Sequence, residues 1–362
     1  MRLRILTWNI KEFSDSNVRT SRILDQIERV VRPNAQLEAD LFVVLEVVSG
    51  SGPVGEPVTE KGGRGIRRLA SRFRRDLSDD WRLVPPLRLS KSTRSPGGKT
   101  SRSEGIGVLY RSSKVRFTGP NQYDYAGTGF EGLDDPAVTN GLAGQCEFED
   151  GYGQSIGFPY QRNRRPWLTT FRTKTGGVSL KLLSFHAPPE QTRQEKGKKV
   201  PKRSPEDREC FRGTQALASI QEITGSEAVI VTGDFNCNYA DPQFREAYSG
   251  LKAQGFTPQN TTTATTLKTP STARIHDYKT GNVFDNVLLR NVSLASGQPS
   301  HPNVAVVDPV RGRPEGYPAI YALDGGGYTP STIHTNTFRS GSNFGLLTKT
   351  SDHLPVYVDV DL

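Results

Sequence analysis

The stretch Val229-Ile230-Val231-Thr232-Gly233-Asp234-Phe235-Asn236 constrains the chain more than any other. Its β-branched apolar run reads as a buried strand. Gly233 permits a tight turn at the end of that strand, and the turn exposes Asp234 and Asn236. Residues i and i+2 of a strand point the same way, so a carboxylate and a carboxamide converge on one place. An acceptor-only carboxylate beside a donor-bearing amide suits a hydrated cation and a phosphoryl oxygen. Gly-Asp-x-Asn is also an ordinary strand-ending turn, because all three residue types favour turns. The stretch carries function only if the rest of the chain supplies partners.

The other segments are read by period and punctuation. Leu3 and Ile5 lie in a short strand ending at Trp8-Asn9, and Leu41 to Leu45 is a continuous apolar run ending in Glu46. Ile23, Leu24, Ile27, Val30 and Val31 recur with helical spacing until Pro33. Ile66, Leu69, Phe73 and Leu77 form a second helical stripe, with Arg67, Arg68, Arg72, Arg74 and Arg75 mostly off it. Ile106 to Tyr110 is strand-like and follows Glu104. Leu168 to Arg172 and Val178 to Phe185 read as a hairpin about Gly176-Gly177, the second strand ending at His186. Ser204-Pro205 with Asp207 marks a helix start, with Phe211, Leu217, Ile220 and Ile223 as its apolar face. Asp241-Pro242 starts another helix. Val283 to Leu289 is a strand containing Asp285, and Leu354, Val356, Val358 and Val360 alternate in a terminal strand after Asp352-His353. The stretches 119–157 and 291–350 have no period and are expected to be irregular insertions in a single domain spanning 1–362.

Charge narrows the partners. The chain of 362 residues holds 47 Lys+Arg against 38 Asp+Glu, a formal charge of +9. That balance favours polyanions such as nucleic acid. Two loops concentrate it: Arg88 to Arg102, and Arg193, Lys196, Lys198, Lys199, Lys202 and Arg203. Cys146, Cys210 and Cys237 are odd in number and lack metal-type spacing, so a disulfide framework is not expected. No secretory h-region and no long apolar run stand in the sequence. A soluble cytoplasmic protein with no membrane partner is expected.

Strand ends therefore deliver Asn9, Glu46, His186, Asp234, Asn236 and Asp285, with His353 at the start of another strand. Each alone has an ordinary reading as a cap, a turn or a surface ion-pair partner. Together they have the layout of a site at one edge of an α/β sheet. Thr7-Trp8-Asn9, Leu45-Glu46-Val47, Glu104-Gly105-Ile106-Gly107-Val108, Ser184-Phe185-His186-Ala187-Pro188, Gly233-Asp234-Phe235-Asn236, Phe284-Asp285-Asn286-Val287-Leu288 and Ser351-Asp352-His353-Leu354-Pro355-Val356 occur in that order. This series resembles the endonuclease/exonuclease/phosphatase superfamily, and its details resemble the deoxyribonuclease I-like branch.

The resemblance implies a four-layer α/β sandwich, two mixed β-sheets packed face to face with helices outside. It implies hydrolysis of phosphate esters with Mg²⁺ or Mn²⁺. It makes Glu46 the principal metal ligand, helped by Asn9 and Asp352, with Asp234 a further candidate. His353 and His186 become general base and general acid, oriented by Asp285 and Glu104 respectively. Asp234 and Asn236 would position water and hold a phosphate oxygen; whether His353 or Asp234 takes the water proton stays open. Arg164 or Arg165 would meet phosphate, and Lys196, Lys198, Lys199 and Lys202 would line the backbone of a nucleic acid. Leu45 stands where the family often has Gln, and the tryptophan-rich signature of inositol polyphosphate phosphatases is missing. His276, His301 and His334 have no motif context and read as loop histidines. The expected function is a metal-dependent nuclease acting on DNA in preference to RNA, with little sequence choice. The alternatives are a phosphatase or phosphodiesterase for a small molecule or lipid headgroup, and an inactive nucleic-acid-binding module.

Overall fold

Alternation along the first strand already sorts the layers. In β1 (Arg2–Phe13), Leu3 and Ile5 enter one apolar cluster while Leu6, Trp8 and Ile10 enter another on the opposite face. β2 (Leu41–Val48) is buried on both faces, as its unbroken apolar run requires. The computed structural model describes residues 1–19, 21–91, 93–94, 100–101, 103–131, 133–158, 164–189, 192–195, 198–201, 204–268, 279–296, 302–308, 313–317 and 350–362. Lys196, Lys202, His276, His301, His334 and most of the 291–350 insertion lie outside the described residues.

Two mixed sheets are built from β1, β2, β3 (Trp81–Val84), β4 (Glu104–Arg111), β5 (Val115–Gly119), β6 (Trp167–Thr173), β7 (Ser179–His186), β8 (Ala228–Asp234), β9 (Thr257–Pro258), β10 (Asp285–Arg290), β11 (Ser293–Leu294), β12 (Val304–Val306) and β13 (Val356–Asp361). The first sheet runs β11-β13-β1-β2-β4-β3, with β12 also on β13; the second runs β9-β10-β8-β7-β6-β5. Each centres on one parallel pair, β1/β2 or β8/β7, flanked by antiparallel neighbours. The two sheets thus repeat one plan.

Leu3, Ile5, Val43 and Val108 from one sheet meet Phe171, Leu182, Ile230 and Val287 from the other in the central core. Outside the first sheet, α1 (Ser21–Val31) and α2 (Lys61–Asp76) lay Ile27, Ile66, Leu69 and Phe73 on Trp8, Phe42 and Val44. Outside the second, α3 (Glu209–Ala216) and the turns after it lay Phe211, Leu217, Ile220 and Ile223 on Phe185, Val229 and Val231. The result is the expected four-layer sandwich.

Three local expectations change. The segment from Ser204 to Ile223 is not one helix: a 3₁₀ turn precedes α3, two more follow, and Ile220 at ψ 113° breaks the run. Its apolar face is buried nonetheless. The basic loop after His186 includes a two-stranded ribbon, Thr192–Glu195 against Lys198–Pro201. The stretch 119–157 is packed: Asp135 caps the short helix Pro136–Thr139, and Phe130 and Phe148 are buried in the layers outside the two sheets.

Candidate active site

The polar residues meet where the two parallel pairs end. Asn9 lies across from Leu45 in the β1/β2 register, and His186 lies across from Asp234 in the β7/β8 register. Antiparallel strands begin at the same edge, so β4 starts with Glu104 and β10 with Asp285. Thr7 Oγ1 and Thr232 Oγ1 meet at 2.7 Å beneath, a buried polar contact between the sheets.

Two backbone devices aim the acids. The pairing of β2 with β4 jumps between Val44 and Val47, a bulge that holds Glu46 at φ 59°. Bulges re-aim side chains, and a left-handed non-glycine residue is uncommon enough to mark a constrained site. At Gly233, φ is 148°, and a Cβ would stand 1.8 Å from Phe185 O. Only glycine lets β7 and β8 approach here. Asn236, at φ 49°, closes the turn with its N–H on Asp234 Oδ1 at 2.9 Å.

The side chains form one connected group. Asn9 Nδ2 donates to Glu46 Oε1 (3.2 Å) and to Asp234 Oδ2 (2.9 Å). Glu46 Oε2 accepts the N–H of Glu12 at 3.0 Å. His186 Nε2 lies 3.7 Å from Glu46 Oε1 and 3.5 Å from Asp234 Oδ2, and His353 Nε2 lies 3.7 Å from Asp234 Oδ2. Each histidine has its own carboxylate: Nδ1 of His186 is 2.8 Å from Glu104 Oε2, and Nδ1 of His353 is 2.7 Å from Asp285 Oδ2. Asn236 Nδ2 donates to Ala187 O at 2.8 Å, which leaves one of its two amide hydrogens for a ligand.

The two basic candidates before β6 part ways. Arg164 is buried in the site, donating to Glu104 Oε1 (2.6 Å), Ala187 O (2.8 Å) and His186 Nε2 (2.9 Å). A guanidinium only donates, so Nε2 of His186 accepts and the ring proton sits on Nδ1 toward Glu104. Arg165 turns outward to the exposed Glu147 at 2.5 Å. Arg88, counted among the basic loop residues, is buried and donates to Ser49 O (3.0 Å) and Pro53 O (3.0 Å), so it supports the loop and does not face a ligand. Asp352 stands at the rim, half exposed, 3.4 Å from Lys11 Nζ.

His353 is electrostatically unusual. Burial alone would push its imidazolium down, but the charges of Asp285 and Asp234 outweigh it and hold the pKa up to about 10. In the metal-free pair the proton therefore rests on the imidazole.

The donor set fits a hard divalent ion. Asn9 Nδ2 lies between the carboxylates of Glu46 and Asp234, and its Oδ1 is buried with no hydrogen-bond partner among the described residues. Oxygen donors of this type hold Mg²⁺ or Mn²⁺. Asp234, Asp285 and His353 also offer ligand atoms within 4.8 Å of one another. There His353 Nδ1 is committed to Asp285 and the ring holds its proton, so the oxygens of Glu46, Asn9 and Asp234 suit a cation better.

Sequence reasoning missed several supports. Ser351 Oγ accepts the N–H of His353 at 2.8 Å and donates to Asn9 O, and Trp8 Nε1 donates to His353 O at 2.9 Å. Both lie inside quoted motifs, so adjacency to Asn9 and His353 was the available signal. Thr265 had none.

A four-layer sandwich with paired His–carboxylate groups and acids at one sheet edge defines a phosphoester-hydrolase scaffold. The sequence model of the Endonuclease/Exonuclease/phosphatase family matches residues 6–353, and the chain belongs to that family. Members are divalent-metal-dependent hydrolases of phosphoester bonds. Among solved structures, an endonuclease/exonuclease/phosphatase family protein from Leptotrichia buccalis is 12% identical, with 99% of this chain and 100% of that one covered at a TM-score of 0.50. A humanized D. rerio TDP2 is 14% identical over 100% and 99% of the two chains, TM-score 0.49. A mannosyl-6-phosphatase of Bacteroides thetaiotaomicron is 10% identical over 99% and 100%, TM-score 0.47. The comparison with curated proteins gives no match.

Proposed function

We propose that the protein is a divalent-metal-dependent nuclease that hydrolyses the backbone of DNA with little sequence preference. The observation that carries this reading is the convergence of Asn9, Glu46, Asp234 and both His–carboxylate pairs through contacts of 2.7 to 3.7 Å. The charge of +9 favours a polyanion over a small neutral substrate.

Glu46 and Asn9 would hold the ion, with Asp234 beside them and Asp352 at the rim. When bound, the ion supplies a Lewis acid for a phosphoryl oxygen. Asp234, between the two imidazoles, orients the attacking water. His353, held by Asp285, and His186, held by Glu104, flank the phosphate as the acid–base pair, and Arg164 lies against His186 where phosphate would sit. Asn236 gives its remaining amide hydrogen to a non-bridging oxygen. In the basic loop that follows His186 in the chain, Lys196, Lys198, Lys199 and Lys202 would act as a cationic clamp on backbone phosphates, giving affinity without sequence choice.

The test incubates purified protein with plasmid DNA, RNA and inositol phosphates under Mg²⁺, Mn²⁺ or EDTA. Metal-dependent DNA cleavage is expected, and its loss by roughly 10²–10⁴-fold in Asp234→Ala. No metal-dependent cleavage of any nucleic acid overturns the reading. Turnover of inositol phosphates alone would replace it with a phosphatase. Neutralising the four lysines is expected to raise KM and flatten the salt dependence.

A further inference from the structure

The two members of the Asp285–His353 pair come from different sheets. Asp285 opens β10 in the second sheet, and His353 lies just ahead of β13 in the first. Their 2.7 Å hydrogen bond therefore depends on how the sheets are held at this edge.

One short segment grips both sides. Thr265 Oγ1 accepts the backbone N–H groups of Phe284 (3.2 Å) and Asp285 (3.1 Å), and the Thr265 N–H donates to Asn282 O at 2.9 Å. Its carbonyl accepts the N–H of Leu354 at 2.6 Å. The next two residues continue the grip: Thr266 bridges to His353, and Leu267 N donates to Asp352 O at 2.7 Å. Behind it, Asn260 Nδ2 donates to Asp285 O at 3.1 Å. Thr265 is fully buried, so no water replaces its hydroxyl.

We propose that Thr265 is the positioning residue of the Asp285–His353 pair. Its hydroxyl fixes the backbone that carries the carboxylate, and its carbonyl fixes the backbone that follows the imidazole. The inference rests on the reading of this pair as part of a phosphodiester-hydrolysing site. Valine matches threonine in shape but leaves two buried N–H groups without an acceptor. The backbone at 284–285 then shifts toward other acceptors, and the carboxylate moves off the imidazole. A displacement well below 1 Å suffices, because hydrogen bonds and catalytic alignment are both steep in distance.

The experiment compares Thr265→Val and Thr265→Ser in the full chain on bis(p-nitrophenyl) phosphate with Mg²⁺, and records the low-field proton resonance of His353 Nδ1 in metal-free protein. Thr265→Val is expected to lower kcat about 10- to 100-fold with KM within about twofold. Thr265→Ser is expected to restore most of it. In an Asp285→Asn background the valine should cost nothing further, since the contact it tunes is already gone. The Nδ1 resonance should persist in wild type and Thr265→Ser and be lost or moved in Thr265→Val. A loss that falls on KM, fails to respond to serine, or adds in full to Asp285→Asn overturns the proposal. So does an unchanged Nδ1 resonance in Thr265→Val, whatever the assay shows. If the wild type hydrolyses no diester, the hydrolase reading falls, while the resonance still judges Thr265. Should valine prevent folding, Thr265→Cys, a weak acceptor of similar size, takes the same readings.

Discussion

The molecule builds a histidine–carboxylate pair twice, and the two copies differ in what else touches the carboxylate. Glu104 shares its charge: one oxygen faces His186 and the other takes Arg164 at 2.6 Å. Among the described residues no guanidinium lies beside Asp285, and its second oxygen is buried near the Thr265 hydroxyl. Its charge raises the pKa of His353, and Asp234 adds to it. The same two-residue device thus sits in two different electrostatic settings. His353 keeps its proton, while His186 has an Nε2 that accepts from Arg164. A carboxylate fixes a tautomer in both pairs, but the third group decides what the ring can do next.

The largest expected effect lies in this asymmetry. Asp285→Asn removes the carboxylate paired with His353 Nδ1, and kcat on DNA should fall about 10²–10⁴-fold. Glu104→Gln leaves His186 with Arg164 and Ala187 nearby, and the fall should be closer to tenfold at constant Mg²⁺. Equal losses in the two variants, measured as kcat in parallel, would break the comparison.

The next effect is a titration. In metal-free protein the ring of His353 should titrate near pH 10 by NMR, and in Asp285→Asn it should drop toward the ordinary value of 6.5. The linkage has a definite sign. The folded pKa lies above the unfolded one, so the folded state binds the extra proton between pH 6.5 and about 10. The stability this contributes is complete below 6.5 and is lost as pH rises through that window. Chemical denaturation at pH 6 and pH 9.5 should show a smaller pH-dependent loss in Asp285→Asn than in wild type.

Much of this arrangement was legible in the chain. Continuous apolar runs such as Leu41–Leu45 and Val229–Val231 can only be strands buried on both faces, and the residue ending each run then has one place to go. Three things could not be read. The first is the conformation of Glu46, which follows from a bulge in its pairing with β4, and pairing register is not local. The second is the choice between Arg164 and Arg165. Neighbouring residues point in different directions, and only the position of Glu147 outside and Glu104 inside separates them. The third is Thr265, one of five threonines between Thr261 and Thr266, where no period distinguishes the one whose hydroxyl meets Asp285. The helix expected from Ser204 to Ile223 failed for a related reason. Its stripe records burial correctly, but successive turns can bury the same face without a continuous helix.

A smaller effect tests the arginine that distinguishes the pairs. Arg164→Ala should raise KM for DNA about tenfold or more and free Nε2 of His186. Arg165→Ala should change KM less than about twofold, because an ion pair with an exposed carboxylate is screened by water. Comparable KM values in the two variants would show that the guanidinium beside Glu104 does not contact substrate.

The smallest effect probes what lies beside His353 and has no counterpart beside His186. Asp352 precedes His353, and its carboxylate and the Lys11 ammonium are both about half exposed at 3.4 Å. Such a pair contributes less than about 0.5 kcal/mol, so Lys11→Met should leave the melting temperature almost unchanged. If Asp352 also serves the metal, the lysine competes with the ion for one carboxylate. Lys11→Met should then lower the Mg²⁺ concentration for half-maximal activity about two- to threefold, and Asp352→Asn should raise it by more, in the direction Coulomb attraction requires. A Mg²⁺ titration that is the same in Lys11→Met, Asp352→Asn and wild type would confine the ion to Glu46, Asn9 and Asp234. The His353 pair would then feel the metal only through Asp234.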